Sequence, residues 1–278
     1  MIELKGDVFN SMRLGCNTVL FAAHDLAGAL ERVAWCGFQE VELAAIPGMC
    51  EHIAPGRDDP ASVREQVEAV GLLPVAIEAA MDLSNPDNHP RFVEVLRMAA
   101  GLGVEVVNTG GGGKSDDAES ERAVHEAIRK LAPFADSLGV LIGVKAHVGQ
   151  AMYNTESALR AIEAVEAPGW GVNYDASHLY RVGDDVVQAA ELLGSRLASV
   201  HIRDTLEQII PIGPPTTQIP GRGSIDLRGV LAELQTGGFV GPIDLEVIGG
   251  GKLEDWQAVA VAAEGRGYLN RLMRELGG

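Results

Sequence analysis

WGVNYDASHLY, residues 170–180, opens as a short apolar strand from Trp170 to Tyr174, then delivers Asp175 and, three residues on, His178. A carboxylate and an imidazole at the mouth of a strand can bind a metal, orient a sugar hydroxyl or relay a proton. By itself D-x-x-H is a chance pattern in many proteins. Its weight comes from the neighbouring runs. LIGVKAHVG (141–149) carries Lys145 and His147, ASVHIRD (198–204) carries His201, Arg203 and Asp204, and PIDLEVIG (242–249) carries Glu246. Four consecutive strand-like runs therefore each end in titratable groups.

Outward from this stretch, short apolar runs alternate with longer amphipathic ones. The expected strands are 12–21, 38–46, 73–81, 104–110, 140–147, 170–177, 197–204 and 242–249, most of them nearly continuous in Val, Ile, Leu and Ala. That composition suits parallel strands covered by helices. Between them, Phe92, Val95, Leu96 and Ala99 recur at helical spacing, with Gly101 and Gly103 as a stop. Val124, Ile128, Leu131, Phe134 and Leu138 form another stripe. Residues 183–185 cap the helix VVQAAELLG, residues 224–226 introduce LRGVLAELQ, and Tyr153 and Asn154 open a helix after the fifth strand. A last helix runs from about Leu253 to Leu276, weakened in its middle by Gly265 and Gly267. Eight strand–helix pairs in 278 residues fit a closed (β/α)8 TIM barrel, an α/β fold, better than a doubly wound open sheet. No composition break marks a second domain, so the expectation is one domain over 1–278.

The formal charge of −17 repels phosphate backbones and anionic lipid, so neither nucleic acid nor a membrane is an expected partner. No apolar run approaches the ~20 residues of a membrane span, and MIELKGDVFN has no signal-peptide core. Cys16, Cys36 and Cys50 lack metal-site spacing and read as reduced thiols of a cytoplasmic protein. Two long connections, 47–59 with His52 and 205–225 with four prolines and Ile209, Ile210, Ile212 and Ile219, are lid or homo-oligomer contact candidates, or tolerated insertions.

Of seven histidines, His147, His178 and His201 fall at expected strand ends, while His24, His52, His89 and His125 do not. With Asp175 and Glu246 they form a ligand set suited to a divalent ion such as Mn, Zn, Mg or Co. Singly, each is as well explained as a hydrogen-bonded polar residue at a strand end. Asn17, Glu42, Glu78 and Asn108 sit near the ends of the earlier strands and either bind substrate hydroxyls or form salt-bridged barrel interior. The run from Asn108 to Ser115 (NTGGGGKS) resembles a phosphate loop but lacks the first glycine, and reads as a flexible βα loop.

NYDASH (173–178), HIRD (201–204), PGRGSID (220–226) and DLEV (244–247) together resemble the xylose-isomerase-like TIM-barrel superfamily of sugar phosphate isomerases and epimerases, over nearly the whole chain. The resemblance implies that Asp175, His201 and Glu246 bind a divalent metal, that His178 and Arg203 lie near substrate, and that 220–226 shapes the entrance. The departure is in the fifth strand, where the family places a metal-binding glutamate. Matching Tyr153-Asn154-Thr155 to the family's asparagine-threonine pair puts Lys145 there. His147, two residues on and so on the same side of a strand, replaces the lost ligand; or Lys145 is deprotonated and acts as a base; or its ammonium polarises the substrate with little metal bound. A Schiff-base lysine is a fourth, less supported arrangement. The first is the favoured expectation, with Glu246, Lys145 and His147 catalytic. The reaction expected is proton removal next to a carbonyl of a small carbohydrate or polyol. The alternatives are a lyase or dehydratase acting on a keto-sugar or keto-inositol, and a silent sugar-binding barrel.

Overall fold

The computed structural model describes residues 12–208 and 211–277, so Ile209 and Ile210 of the long connection and the first eleven residues lie outside the described part. Eight parallel strands close into a barrel: β1 (Arg13–Asn17), β2 (Glu40–Ile46), β3 (Leu73–Glu78), β4 (Val106–Gly110), β5 (Leu141–Lys145), β6 (Trp170–Asp175), β7 (Leu197–Ile202) and β8 (Pro242–Leu245). Each pairs with its sequence neighbour, and β1 closes the ring by pairing with both β2 and β8. Closure leaves no open edge, which removes the doubly wound alternative. A two-residue antiparallel strand, Cys50–Glu51, folds back on β2.

The helices lie outside: α1 (Leu26–Trp35), α2 (Pro60–Ala69), α3 (His89–Leu102), α4 (Ala118–Ser137), α5 (Thr155–Ala164), α6 (Val186–Leu193), α7 (Leu227–Thr236) and α8 (Asp255–Glu275). Their starts follow the expected caps. Asn154, Asp185 and Asp226 side chains each accept backbone N–H groups of the turn that follows, which satisfies donors that a helix start otherwise leaves open. Gly101 falls inside α3, and the stop is Gly103, at φ 70°. α8 passes unbroken through Gly265, where a Cβ would crowd Leu245 and Pro220; there the missing side chain permits close approach to β8. Among the described residues no helix is long and apolar enough to cross a membrane.

One large apolar cluster fills the space between barrel and helices, including Leu30, Phe92, Leu96, Ile128 and Val230. The barrel interior is different. Side chains two residues apart on a strand share a face, and the inward positions here are polar in layers. Arg13 meets Glu40 at 3.3 Å near the amino ends. Above them Asn173 donates to Ser199 (2.8 Å), Ser199 to Asn108 (2.5 Å), and Asn108 to Glu42 (2.7 Å). Gly15 and Gly143 make room for this layer, since a Cβ on either would overlap Asp244 or Asn108. The next inward positions, at the carboxyl ends, carry the candidate site.

Candidate active site at the carboxyl ends of the strands

Lys145 ends β5, and its ammonium donates to both oxygens of Glu246, at 3.0 and 3.2 Å. Glu78 Oε2 lies 3.6 Å from the same Nζ and Asp175 Oδ2 3.9 Å. Arg203, just past β7, donates from Nη1 to Glu246 Oε2 (2.6 Å), from Nη2 to Asp175 Oδ2 (3.0 Å) and from Nε to Ser177 (2.7 Å). His201 contacts Glu42 through Nε2 at 2.8 Å and turns Nδ1 toward Glu246 (3.4 Å) and Glu78 (3.7 Å), without a directed hydrogen bond to either. All of these side chains are buried. Ladder pairing explains the convergence: Asp175 is the register partner of His201, and Asn17 that of Glu42.

The charges set one another. Burial works against the ammonium of Lys145, but Glu246, Glu78 and Asp175 outweigh it and hold its pKa above the ordinary lysine value. The deprotonated lysine considered from the sequence is thus disfavoured in this arrangement. Burial likewise opposes the carboxylate of Glu246, yet Lys145, His201 and Arg203 hold it well below the usual range; Arg203 and Lys145 do the same for Asp175. Against the same burial, Glu42 and Glu246 push His201 well up, which favours its imidazolium form. Glu78 differs. Burial raises it, Lys145 and His201 offset this only in part, and Oε2 accepts no hydrogen bond while Ala80 N–H fixes Oε1 at 2.7 Å. Ala80 itself sits at φ 42°, a left-handed conformation that costs a non-glycine residue about 1 kcal/mol or more.

The two remaining histidines are neutral for the opposite reason. Burial pushes His147 down to about 4 and His178 well below its ordinary value. Val148 N–H donates to His178 Nδ1 (3.1 Å), which leaves the proton on Nε2, 3.7 Å from Asp175. His147 Nδ1 donates to the Val148 carbonyl (2.9 Å), so its Nε2 keeps a lone pair. The two rings lie against each other, centroids 4.1 Å apart and tilted by 39°.

Two groups of candidate metal ligands are present among the described residues: Glu42, Glu78 and His201, and Asp175, His201 and Glu246, each with ligand atoms within 4.8 Å of one another. His147 belongs to neither. β5 ends at Lys145, so strand alternation does not extend two residues further, and the expected replacement ligand turns to a backbone carbonyl instead. The donor chemistry suits a divalent ion, but the donors do not fit one while Lys145 is in place. An ion ~2.1 Å from Glu246 Oε1 is at most about 5 Å from the ammonium, because the two share that oxygen. At an effective dielectric of ~20 the repulsion of +2 by +1 there is about 7 kcal/mol, roughly half of what a complete structural zinc site contributes. Arg203 holds two of the same carboxylates.

The other expected site residues fall as follows. Asn17 and Asn108 both reach the rim, but both are spent on Glu42, at 2.6 and 2.7 Å. Arg203, expected near substrate, clamps Asp175 and Glu246 to each other. Glu42, Ser177 and Asp204 carry more than their sequence positions suggest. Asp204 accepts N–H groups from Thr205, Gly221 and Ile225, at 2.9, 2.9 and 3.2 Å, and so ties the long connection to the rim. The alternation Glu40, Glu42 and Asp244, Glu246 inside apolar runs was the readable signal for a polar interior. A separate cleft, lined in part by Arg13, Phe38, Glu40 and Arg266, opens at the amino ends and takes no part in this chemistry.

A family model described as xylose isomerase-like TIM barrel matches residues 30–272. Inosose isomerase of Bacillus velezensis is 30% identical over 135 residues, covering 46% of this chain and 47% of that protein. 3-Dehydroshikimate dehydratase of Pseudomonas putida is 22% identical over 235 residues, 80% of this chain and 36% of that protein. The chain thus spans about half of the first relative and about a third of the second. Among solved structures, an IOLI protein with a bound zinc atom aligns with a TM-score of 0.79 at 20% identity, covering 95% of this chain and 99% of that one. An L-ribulose 3-epimerase aligns with a TM-score of 0.77 at 18% identity, covering 95% of each. The closed barrel, its polar rim and the match over most of its length together place this chain in the xylose isomerase-like TIM barrel family.

Proposed function

We propose that the protein is an isomerase or epimerase-type enzyme that moves a proton at the carbon beside a carbonyl of a small sugar, polyol-derived ketone or sugar phosphate. The observation that carries this reading is the cluster of Lys145, Arg203 and His201 cations facing buried carboxyl groups at the carboxyl ends of the strands, where barrel enzymes keep their chemistry. An enediolate needs positive charge at its oxygen, and Lys145 and His201 supply it without reorganisation. The base needs a pKa near working pH. Glu78, raised by burial and with one oxygen free of hydrogen bonds, meets that better than Glu246, whose two oxygens anchor the cations. His147 Nε2 is a second acceptor on the rim.

Incubation with a panel of ketoses, aldoses and keto-inositols in deuterated water tests this reading. Deuterium enters the carbon next to the carbonyl with at least one of them; no incorporation and no interconversion across the panel would contradict it. A dehydratase is the second reading, favoured by the 235-residue similarity to 3-dehydroshikimate dehydratase. It is distinguished by loss of water and growth of an enone absorbance. Metal assistance at Asp175, His201 and Glu246 is favoured by their mutual proximity and opposed by the ammonium among them.

A further inference from the structure

We propose that Lys145 is the resident cation of this mouth, standing in for a divalent ion, so that the protein binds no metal at Asp175, His201 and Glu246 and handles its substrate's oxygen with an ammonium. Three carboxyl groups from three different strands, Glu246, Glu78 and Asp175, surround Nζ at 3.0, 3.6 and 3.9 Å. A surface lysine has no reason to be so enclosed; this one is buried, and every acidic neighbour it faces belongs to a candidate ligand group. Arg203 completes the neutralisation by bridging Asp175 and Glu246. Glu78 Oε2 and His201 Nδ1 remain buried without a directed hydrogen bond, 3.7 Å apart and beside the ammonium. They are the two positions from which a substrate hydroxyl and carbonyl oxygen would gain partners on binding.

An ammonium differs from a dication in what it accepts. It is a single positive charge with three rotatable N–H donors and no open coordination sites, so it meets a carbonyl or enolate oxygen by hydrogen bonding and charge rather than by the inner-sphere chelation that a dication would offer. The substrate class that fits is a ketone or aldehyde whose carbonyl oxygen faces the ammonium and whose neighbouring hydroxyl reaches Glu78 Oε2 or His201 Nδ1. The inference rests on the carbonyl-handling reading for what the cation is for. Metal content and thermal stability, which involve no turnover, test it separately from that reading.

The experiment compares the whole protein with its Lys145→Glu and Lys145→Gln variants. Each is loaded with Mn²⁺ or Zn²⁺, desalted and assayed for metal by mass spectrometry, and its Tm is measured with the metal and with a chelator. The wild type is expected to retain under about 0.1 equivalent and show no Tm shift, whereas Lys145→Glu retains about one equivalent and its Tm rises with metal. If Lys145→Glu does not fold, Lys145→Gln must bind Mn²⁺ at least about tenfold more tightly than the wild type, because it removes the repulsion alone. Retention of about one equivalent by the wild type, or no gain in a folded variant, would overturn the proposal.

Discussion

Glu78 and Glu246 end the same kind of strand yet are tuned in opposite directions. Glu246 is surrounded by Lys145, His201 and Arg203; Glu78 is buried with less compensation and keeps one oxygen without a hydrogen bond. Glu78→Gln keeps the shape and removes the base, and is expected to lower deuterium exchange at least about 100-fold with little change in Tm. Unchanged exchange would assign the base elsewhere. Asp244 shows another cost of a polar interior. Neither of its oxygens has a hydrogen-bond partner, and burial beside Glu42 raises its pKa well above the usual carboxylate range. The folded chain holds a proton that the unfolded chain releases above pH ~4, so this residue removes stability as pH rises. Asp244→Asn removes that penalty, and its advantage in urea unfolding should grow as pH rises above ~4, by up to about 1.4 kcal/mol per pH unit; parallel profiles would contradict this. His147 acts at the acid side. Its pKa is about 4 when folded against the ordinary 6.5, so as pH falls through 6.5 the unfolded chain takes the proton first and stability is lost down to about pH 4. His147→Gln is expected to flatten that window by about 3 kcal/mol at most, read from Tm against pH.

At the scale of elements, the strands and helix starts were legible because each depends on local chemistry. Apolar runs marked the strands, and Asn154, Asp185 and Asp226 marked helix starts through their own side chains. Strand ends were less legible. β1 stops at Asn17, whose side chain accepts Val19 N–H and turns the chain into a 3-10 helix. β6 stops at Asp175, which caps the short helix Ala176–Arg181. In each case one side chain serves both rim and turn, and apolar content does not reveal where pairing ends. For His147 the same limit applies: its side was inferred from an alternation that ceases at Lys145, and it is in neither candidate ligand group among the described residues. The connection 205–225 read as a lid or homo-oligomer contact candidate, or a tolerated insertion, from its length, prolines and isoleucines. Asp204 ties it down through three backbone N–H groups, and Gln218 reaches Gly213 and Ile248 carbonyls at 2.8 and 2.9 Å. Asp204→Ala leaves those amides unsatisfied, at about 1–3 kcal/mol each where buried. The expected result is a lower Tm and faster proteolytic cleavage within 205–225; equal cleavage rates would show that the anchor is dispensable.

For the whole molecule, the barrel brings residues far apart in sequence, from Asn17 to Glu246, to one rim by register alone. The sequence showed which types stood at strand ends, and from these the barrel and the acidic–imidazole rim were both readable. It did not show their pairing, because whether a lysine repels an ion or takes its place depends on three-dimensional distances. Those distances make the rim a set of fixed cations set against carboxyl groups of unequal basicity. The most direct measurement is deuterium exchange beside the substrate carbonyl, in the presence of a chelator, for the wild type and Lys145→Met. Exchange that persists in the chelated wild type and falls at least about 100-fold in a folded Lys145→Met is the predicted result. Exchange that disappears on chelation, or survives loss of the lysine, would contradict the account.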